Sequence, residues 1–511
     1  MTIEDAGTFA VDGRILGHVS RRFALVPTLG DRPSLETGST AIAFNMMKNP
    51  ELQDALLDIV GRDAATFRPN HNPDDLHDES LHQIVVVPFA VVRPKTTNEV
   101  AEILKLATRL GVSVIARGAG TGLSGGATPV SDGIVVSFER MNQVVRCDTN
   151  DHVIVVQPGI TLRELGEYLA PTGLRYPVYP GELSGSIGGN VNTNAGGMRA
   201  VRHGVTRQHV LGLELVLADG TVLRTGGPVV KSSSGYDLTQ LVIGSEGTLA
   251  LVTEVTLKLS PSLPHAATVL VPFASLDAIT RVVPAVIASG LQPSMMEYLD
   301  VGTMNAVTSA ASLELGVEKS VAAQAAAYLI VILETRTAEQ LDSDIIDLGT
   351  LLEVAQALDV YVLPEHAAVR LIEARERMFW VTKDAGANEI VDIVVPRSTV
   401  PAFLEEVARV ATRHEASITG CGHVGDGNIH LSVFLEDDDA REVLMRELFV
   451  YGLELGGQIS GEHGIGRDKQ SHYLALTDPA LLDLQRRIKA AFDPQGLLNP
   501  YRLFDVRITT H

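Results

Sequence analysis

The stretch from Pro180 to Gly204, PGELSGSIGGNVNTNAGGMRAVRHG, constrains the fold more than any other part of the chain. It holds seven glycines and few apolar side chains larger than Val or Ile. Such a run has too little bulk to be an ordinary core element. Glycine lets a backbone adopt positive φ and come close to another surface. Ser184, Ser186, Asn192, Thr193 and Asn194 set small hydrogen-bonding groups between the glycines. Two readings fit: a long surface loop, or a backbone cradle for a large, flat, phosphate-bearing cofactor. The cradle needs a second phosphate-binding segment.

Arg117 to Gly126, RGAGTGLSGG, follows an apolar strand and supplies that segment. It departs from the dinucleotide fingerprint of doubly wound folds, because no helix begins there and no acidic residue follows at the right distance. No Gly-Lys-Ser/Thr is present, which excludes a P-loop. One glycine-rich loop is weak evidence. Two of them, both flanked by strands, favour a dinucleotide.

The surrounding pattern divides the chain. Asn49 to Val60 reads as a short helix with Pro50 in its first turn. TTNEVAEILKLATRLG carries an N-cap threonine and apolar residues at helical spacing. LGLELVLADGTVLRTGG reads as a hairpin with Asp219 and Gly220 at its turn, and LVIGSEGTLALVTEVTLKL as a further strand pair. From residue 265 strand–helix units repeat and end in the hairpin ASITGCGHVGDGNIHLSVFLE. That order predicts an antiparallel sheet covered by helices on one face. The expected organisation is α+β: an N-terminal extension over 1–45, a cofactor domain over 46–262, a substrate or cap domain over 263–458, and a C-terminal segment over 459–511 completing the cofactor domain.

Bulk properties narrow the function classes. A formal charge of −21 argues against a nucleic-acid surface. No apolar run approaches the roughly 18 residues of a membrane span, and the N-terminus lacks the apolar core of a secretory signal. Two cysteines, Cys147 and Cys421, are too few for a disulfide framework. A cytoplasmic protein in a reduced compartment is expected.

RGAGTGLSGG, the Pro180–Gly204 stretch, KSSSGYDLTQLVIGSEGTLALVTEVTLKL and FDPQGLLNP together resemble the FAD-linked oxidases, flavoproteins of the vanillyl-alcohol oxidase type. HVGDGNIH and SGEHGIG resemble, within that family, the D-2-hydroxyacid dehydrogenase branch: D-lactate dehydrogenases, the glycolate oxidase FAD subunit and D-2-hydroxyglutarate dehydrogenase. The resemblance spans about residues 45 to 505 and implies a two-part FAD domain of that type plus an α+β cap with an antiparallel sheet. It places the FAD pyrophosphate on Gly118, Ala119, Gly120, Thr121 and Gly122. The flavin and ribityl chain fall to Pro180, Gly181, Ser186, Ile187, Gly188, Gly189, Asn192, Thr193, Asn194 and Gly197. Glu246, Gly247 and Asn499 match further FAD-side positions. Some relatives hold FAD covalently through a histidine in the first loop; this loop has none, so non-covalent FAD is expected.

His423 and His430 flank Gly425-Asp426-Gly427-Asn428. With Asp426 and Gly427 as the central pair of a tight turn, 423 would pair with 430 and both imidazoles would share one face. Opposed Cβ atoms stand about 4.5–5.5 Å apart, close enough for two rings to hold one metal ion. Two solvent-facing polar residues of a hairpin would look the same. Glu462 is the apt third ligand, and the resemblance gives it that role. The set suits Zn²⁺, with Mn or Fe as alternatives. The resemblance makes His463 the general base: it takes the proton of a metal-bound 2-hydroxyl while the C2 hydrogen leaves as hydride to flavin N5. It also makes Arg375 the clamp on the substrate carboxylate.

The 2-hydroxyglutarate enzymes carry a lysine two residues before the Asp of their D-x-x-x-P strand; Ile390 stands there, before Asp392. A monocarboxylic substrate follows: D-lactate, glycolate or a longer apolar homologue. The expected enzyme is an FAD- and divalent-metal-dependent D-2-hydroxyacid dehydrogenase passing electrons to an external acceptor, a quinone, a cytochrome or an electron-transferring flavoprotein. A homodimer is compatible with it. The rivals are D-2-hydroxyglutarate dehydrogenase, another flavin oxidoreductase on this scaffold, a metal-dependent hydrolase and a non-catalytic electron-transfer subunit.

Overall fold

The protein is described from a computed structural model covering residues 39–503, with side chains from residue 50. It divides into compact units Met1–Asn49 and Pro50–His511, and every strand among the described residues belongs to the second. The expected N-terminal extension lies outside the described residues, apart from the backbone of a helix, Ser39–Val60, that begins at its end. Pro50 therefore stands inside a helix rather than in its first turn. Beyond it, Leu52 and Leu56 enter a hydrophobic core.

Strands up to Pro261 build the first part. Ala65–Phe67, Ala90–Val92, Ile134–Ser137 and Val114–Arg117 form one sheet in that order, with the last three parallel. Helix Thr97–Leu110 covers it with a face of Val100, Ile103, Leu104 and Ala107. Thr96 accepts the Glu99 amide at its start, and Gly111 closes its end at φ 64°. A cap of this kind is worth about 1 kcal/mol. A second, antiparallel sheet runs in the order Val144–Asp148, Val153–Val156, Leu251–Lys258, Val210–Val216, Val222–Gly226. The last two strands form the expected hairpin over Asp219 and Gly220. The strand pair expected from Leu241 is instead the end of a short helix, Leu238–Val242, a turn, and one strand. Asp237 caps that helix through the Gln240 amide, and Gly244, Glu246 and Gly247, all at positive φ, break the chain before Leu251.

The remainder is a seven-stranded antiparallel sheet: Tyr361–Val362, His265–Phe273, Ala327–Thr335, Met295–Asp300, Ser417–His423, Asn428–Phe434, Glu389–Val394. Helices cover both of its faces, not one. Successive strand residues point to opposite sides: Leu329 and Val331 enter one core, Tyr328 and Ile330 the other. Helices Leu276–Ala288, Ala338–Val354, Val400–Arg413 and Asp438–Glu454 pack on the first side. Val301–Ala310 and Glu365–Glu376 pack on the second. The unbroken apolar runs of these strands are the mark of a doubly covered sheet. The strand Met295–Asp300 also escapes a reading by repeating units, yet it lies at the sheet centre and carries Glu297.

The C-terminal segment returns to the first part. Leu498 bridges Val114 and joins its core. Lys489, 4% exposed, donates to Thr248 O at 2.6 Å, Asp493 Oδ2 at 2.5 Å and Leu498 O at 2.9 Å. No helix among the described residues is long and apolar enough to cross a membrane.

Candidate functional site

The two glycine-rich stretches meet. A Cβ built on Gly118 would stand 2.2 Å from Ser186 Oγ, so only glycine lets the strand end at 118 touch the second stretch. Ser186 accepts the Gly189 amide and starts a short helix, Ile187–Thr193, within what reads as loop. Between the stretches lies a cleft of about 1320 Å³, open at its mouth. Gly118 to Gly122, Pro180, Ser186, Gly188, Gly189, Asn192, Thr193, Glu246, Gly247 and Asn499 line it. Ile187 does not; it is buried in the core beneath the second sheet. Asn194 caps the short helix, and Gly197, at φ 120°, is pressed against the Tyr179 carbonyl. Gly181 lines the neighbouring cavity instead.

The cleft fits a large polar group on two counts. Its floor is glycine backbone, and two buried polar atoms on its wall, Asn190 Nδ2 and Asn499 Oδ1, have no partner within the protein. Buried polar groups are otherwise almost always paired, so these await an occupant.

The neighbouring cavity, about 920 Å³ including its mouth, shares Thr121, Leu123, Pro180, Glu182, Glu462 and His463 with the cleft. The hairpin that carries its histidines has a longer turn than two residues allow: His423 pairs with Asn428 and Cys421 with His430. The register differs from the expected one by two residues, a whole pleat repeat, so both histidines still face the same side. They stand diagonally, with ring centroids 4.9 Å apart. Gly427, at φ 89°, closes the loop where a Cβ would strike Val395 O.

Three donor atoms converge here. His423 Nε2 lies 3.2 Å from Glu462 Oε1, His430 Nε2 3.3 Å from the same oxygen, and the two nitrogens 3.2 Å from each other. Corners of a tetrahedron around an ion with bonds of 2.0–2.1 Å are about 3.3 Å apart. The spacing of the donor set thus fits three ligands of one small divalent ion. Burial alone would raise the Glu462 carboxyl; His423 and His430 outweigh it and keep it ionised. Asp392, His430 and His463 form a second grouping of comparable spread. Asp392, however, is already taken. It accepts the amides of Gly461, Glu462 and His463 at 2.9–3.1 Å, the Ser460 hydroxyl at 2.7 Å and Asn428 Nδ2 at 2.9 Å.

Two buried carboxylates that the sequence reading did not assign therefore build the site. Asp392 folds the Ser460–His463 turn around itself and presents Glu462 and His463. Glu297, fully buried, holds His423 Nδ1 on one oxygen and Arg375 on the other, with Nε at 3.1 Å. Burial opposes its charge, but His423 and Arg375 hold it below the ordinary carboxylate range. Each is the acid inside a largely apolar strand that carries a second acid at one end, MMEYLD and EIVDIV. A buried charge at such a position is tolerated only when paired, and the partners of Glu297 lie far away in the chain.

Arg375 is buried, whereas Arg377 ends the same helix in solvent. Its Nη2 lies 2.9 Å from Glu297 Oε2 yet off the hydrogen-bond direction, which leaves a buried donor unpartnered at the cavity wall. His463 stacks on His430, centroids 5.1 Å apart and rings 13° from parallel. Burial, with His430 and Lys469 beside it, pushes its pKa down to about 4, so the ring is neutral at neutral pH. Behind it Ser124 donates to the carbonyls of His463 and Gly464, and Glu246 accepts the Ile465 and Gly466 amides at 2.7 Å. The first glycine loop and the His463 loop are thereby fixed to each other.

Comparison with known proteins agrees with this architecture. Residues 88–226 match the FAD binding domain model, and residues 263–503 the model for FAD linked oxidases, C-terminal domain. The chain is 34% identical over 434 residues to glycolate oxidase subunit GlcD of Bacillus subtilis, covering 83% of this chain and 91% of that protein. It is 33% identical over 446 residues to a D-lactate dehydrogenase of Anaerostipes hadrus, covering 84% and 93%. An uncharacterized FAD-linked oxidoreductase of Mycobacterium tuberculosis is 51% identical over 433 residues, covering 84% and 94%. Among solved structures, p-cresol methylhydroxylase with substrate bound superposes with a TM-score of 0.72 at 17% identity, over 89% of this chain and 96% of that one, which bears on fold alone. The metal-hydrolase alternative falls with these matches. The chain belongs to the FAD-linked oxidases, in the branch of glycolate oxidase subunit GlcD and D-lactate dehydrogenase, and is an FAD-linked oxidoreductase.

Proposed function

We propose that the protein is a divalent-metal-dependent D-2-hydroxyacid dehydrogenase. One observation carries the reading: His423, His430 and Glu462, the neutral His463 and the unpartnered donor of Arg375 all face one cavity, and that cavity opens into the FAD cleft at Glu462 and His463. A bound FAD supplies the two-electron acceptor for the C2 hydrogen. A divalent ion on His423, His430 and Glu462, with zinc the best match to the donor set, supplies the Lewis acidity that lowers the pKa of the 2-hydroxyl.

The chain's residues do the rest. Arg375 takes the substrate carboxylate on its guanidinium while its ion pair with Glu297 fixes the plane of that group. His463, neutral and enclosed, receives the hydroxyl proton on a ring nitrogen, as a base must be unprotonated to act. Asp392 holds the backbone of the turn that carries His463, so the base keeps its place when it gains charge. Leu123 and Pro180 line the shared opening and limit water there. The product is the 2-oxo acid.

The test uses the purified FAD-loaded protein, a D-2-hydroxy acid and an artificial acceptor. Stripping divalent metal should abolish turnover and adding zinc or manganese should restore it. His463→Ala should keep bound FAD and lose at least a hundredfold in kcat, the lower range for a lost general base. Full turnover in metal-free protein would overturn the metal assignment.

A further inference from the structure

The cavity runs past the metal-ligand triplet to Phe379, Trp380 and Ile390. Away from the metal-ligand triplet its lining includes six large apolar side chains, Leu123, Met198, Met378, Phe379, Trp380 and Ile390. Trp380 keeps 39% of its surface exposed and packs edge-on against Phe379, centroids 5.2 Å apart. A half-exposed indole beside an open cavity is an apolar surface without its cover.

The strand register places Ile390. Asp392 pairs with His430 and Ile390 with Ser432, so Ile390 sits two residues along the same strand face. That is one pleat step, about 6.8 Å, beyond the level of His430. An atom bonded past C2 of a hydroxy acid held at His430 would run toward that level. Two hydroxyls on the wall are already satisfied, Thr303 by Gly420 O and Thr382 by Met378 O. Charge points the same way. Arg375 is the one Lys or Arg among the described lining residues, and the proposed reaction uses it. Lys383 lies beside the aromatic pair but is bonded to Glu79 at 3.3 Å. Glu79, Glu182 and Glu376 also face the cavity and disfavour a second anion.

We infer that Phe379, Trp380 and Ile390 form a side-chain pocket for D-2-hydroxy acids bearing a bulky apolar group, aryl or branched alkyl. This rests on the proposed dehydrogenase reading and narrows its substrate class. Neither a three-carbon acid nor a dicarboxylic one is the fitted ligand.

Trp380 is the chain's sole tryptophan, so intrinsic fluorescence reports this wall directly. The 2-oxo acids give a binding readout free of turnover. Titrating the FAD-loaded protein with pyruvate, 2-oxoglutarate, 4-methyl-2-oxopentanoate and phenylpyruvate should give Kd values at least tenfold lower for the last two, the scale of added carbons in a fitted apolar pocket. The corresponding D-2-hydroxy acids should follow the same order in kcat/KM. Ile390→Lys should weaken phenylpyruvate at least tenfold and strengthen 2-oxoglutarate. Trp380→Phe should keep the affinity order, read by flavin absorbance, while abolishing the fluorescence signal. Pyruvate or 2-oxoglutarate binding as tightly as phenylpyruvate would overturn the pocket. Tight phenylpyruvate binding with no flavin reduction by any D-acid would keep the pocket and sink the reaction.

Discussion

Glu297 reaches the Nδ1 edge of His423 with one carboxylate oxygen, and this turns the opposite nitrogen, Nε2, toward Glu462 and His430. The same carboxylate holds Arg375 on its other oxygen. One buried acid therefore sets the aim of a candidate metal ligand and of the candidate carboxylate clamp.

Replacing Glu297 with Gln keeps the shape but removes the charge and the fixed tautomer of His423. Metal affinity should fall 10- to 100-fold, the usual cost of losing such an outer partner. Competition with a chromophoric chelator measures it, alongside the flavin spectrum as a check on folding. Unchanged affinity would separate Glu297 from the metal site.

Gly118→Ala should lose bound FAD, since the added methyl would overlap Ser186 Oγ. Ser186→Ala in the same chain removes that oxygen and leaves Ser186 Cβ 3.4 Å away. The double variant should recover part of the FAD content of the wild type, read as flavin absorbance per protein. Equal loss in both variants would mean that the contact does not govern the cradle.

His203 sits beside Arg175 and Arg202, 3.5 Å from an Arg175 nitrogen, with Glu334 opposing. Burial first, then the two arginines, push its pKa from 6.5 down to about 4. A depressed imidazole contributes stability that is present above pH 6.5 and lost as pH falls toward 4. His203→Gln should flatten that loss: its Tm should approach or pass the wild-type value near about pH 5 while staying at or below it near about pH 7.5. Parallel Tm curves for the two proteins would contradict the assignment.

Lys489 ties the C-terminal helix Pro479–Phe492 to the carbonyls of Thr248 and Leu498, and Leu498 bridges Val114 on the strand that leads into the first glycine loop. Lys489→Met strands the fully buried charge of Asp493 and should cost about 3–5 kcal/mol, measured by denaturant unfolding. Lys489→Met with Asp493→Leu should regain part of it, though the Leu498 amide then loses its 2.7 Å acceptor. A single variant within 1 kcal/mol of wild type, on the scale of about 1 kcal/mol for a surface pair, would show the pair to be dispensable.

How much of the fold was legible in the sequence depends on how local each feature is. The glycine loops, the Thr96 cap and the Asp219–Gly220 turn are written in a few adjacent residues, and the structure keeps them. The face shared by His423 and His430 was legible because side-chain direction repeats every two residues, even though the turn is longer than expected. Glu297 was not legible. Its strand carries no turn signal, and its partners lie 78 and 126 residues away in the chain. The second helical layer on the cap sheet was missed for the same reason: strand–helix order does not state on which side a helix packs.

The most direct test is an anaerobic visible spectrum of the FAD-loaded protein before and after adding D- and L-2-hydroxy acids. The account predicts that a D-acid with an apolar side chain bleaches the oxidised flavin bands and its L-isomer does not, and that stripping the divalent metal stops the bleaching while FAD stays bound. Flavin bands that no D-2-hydroxy acid bleaches, in protein carrying both FAD and metal, would contradict it.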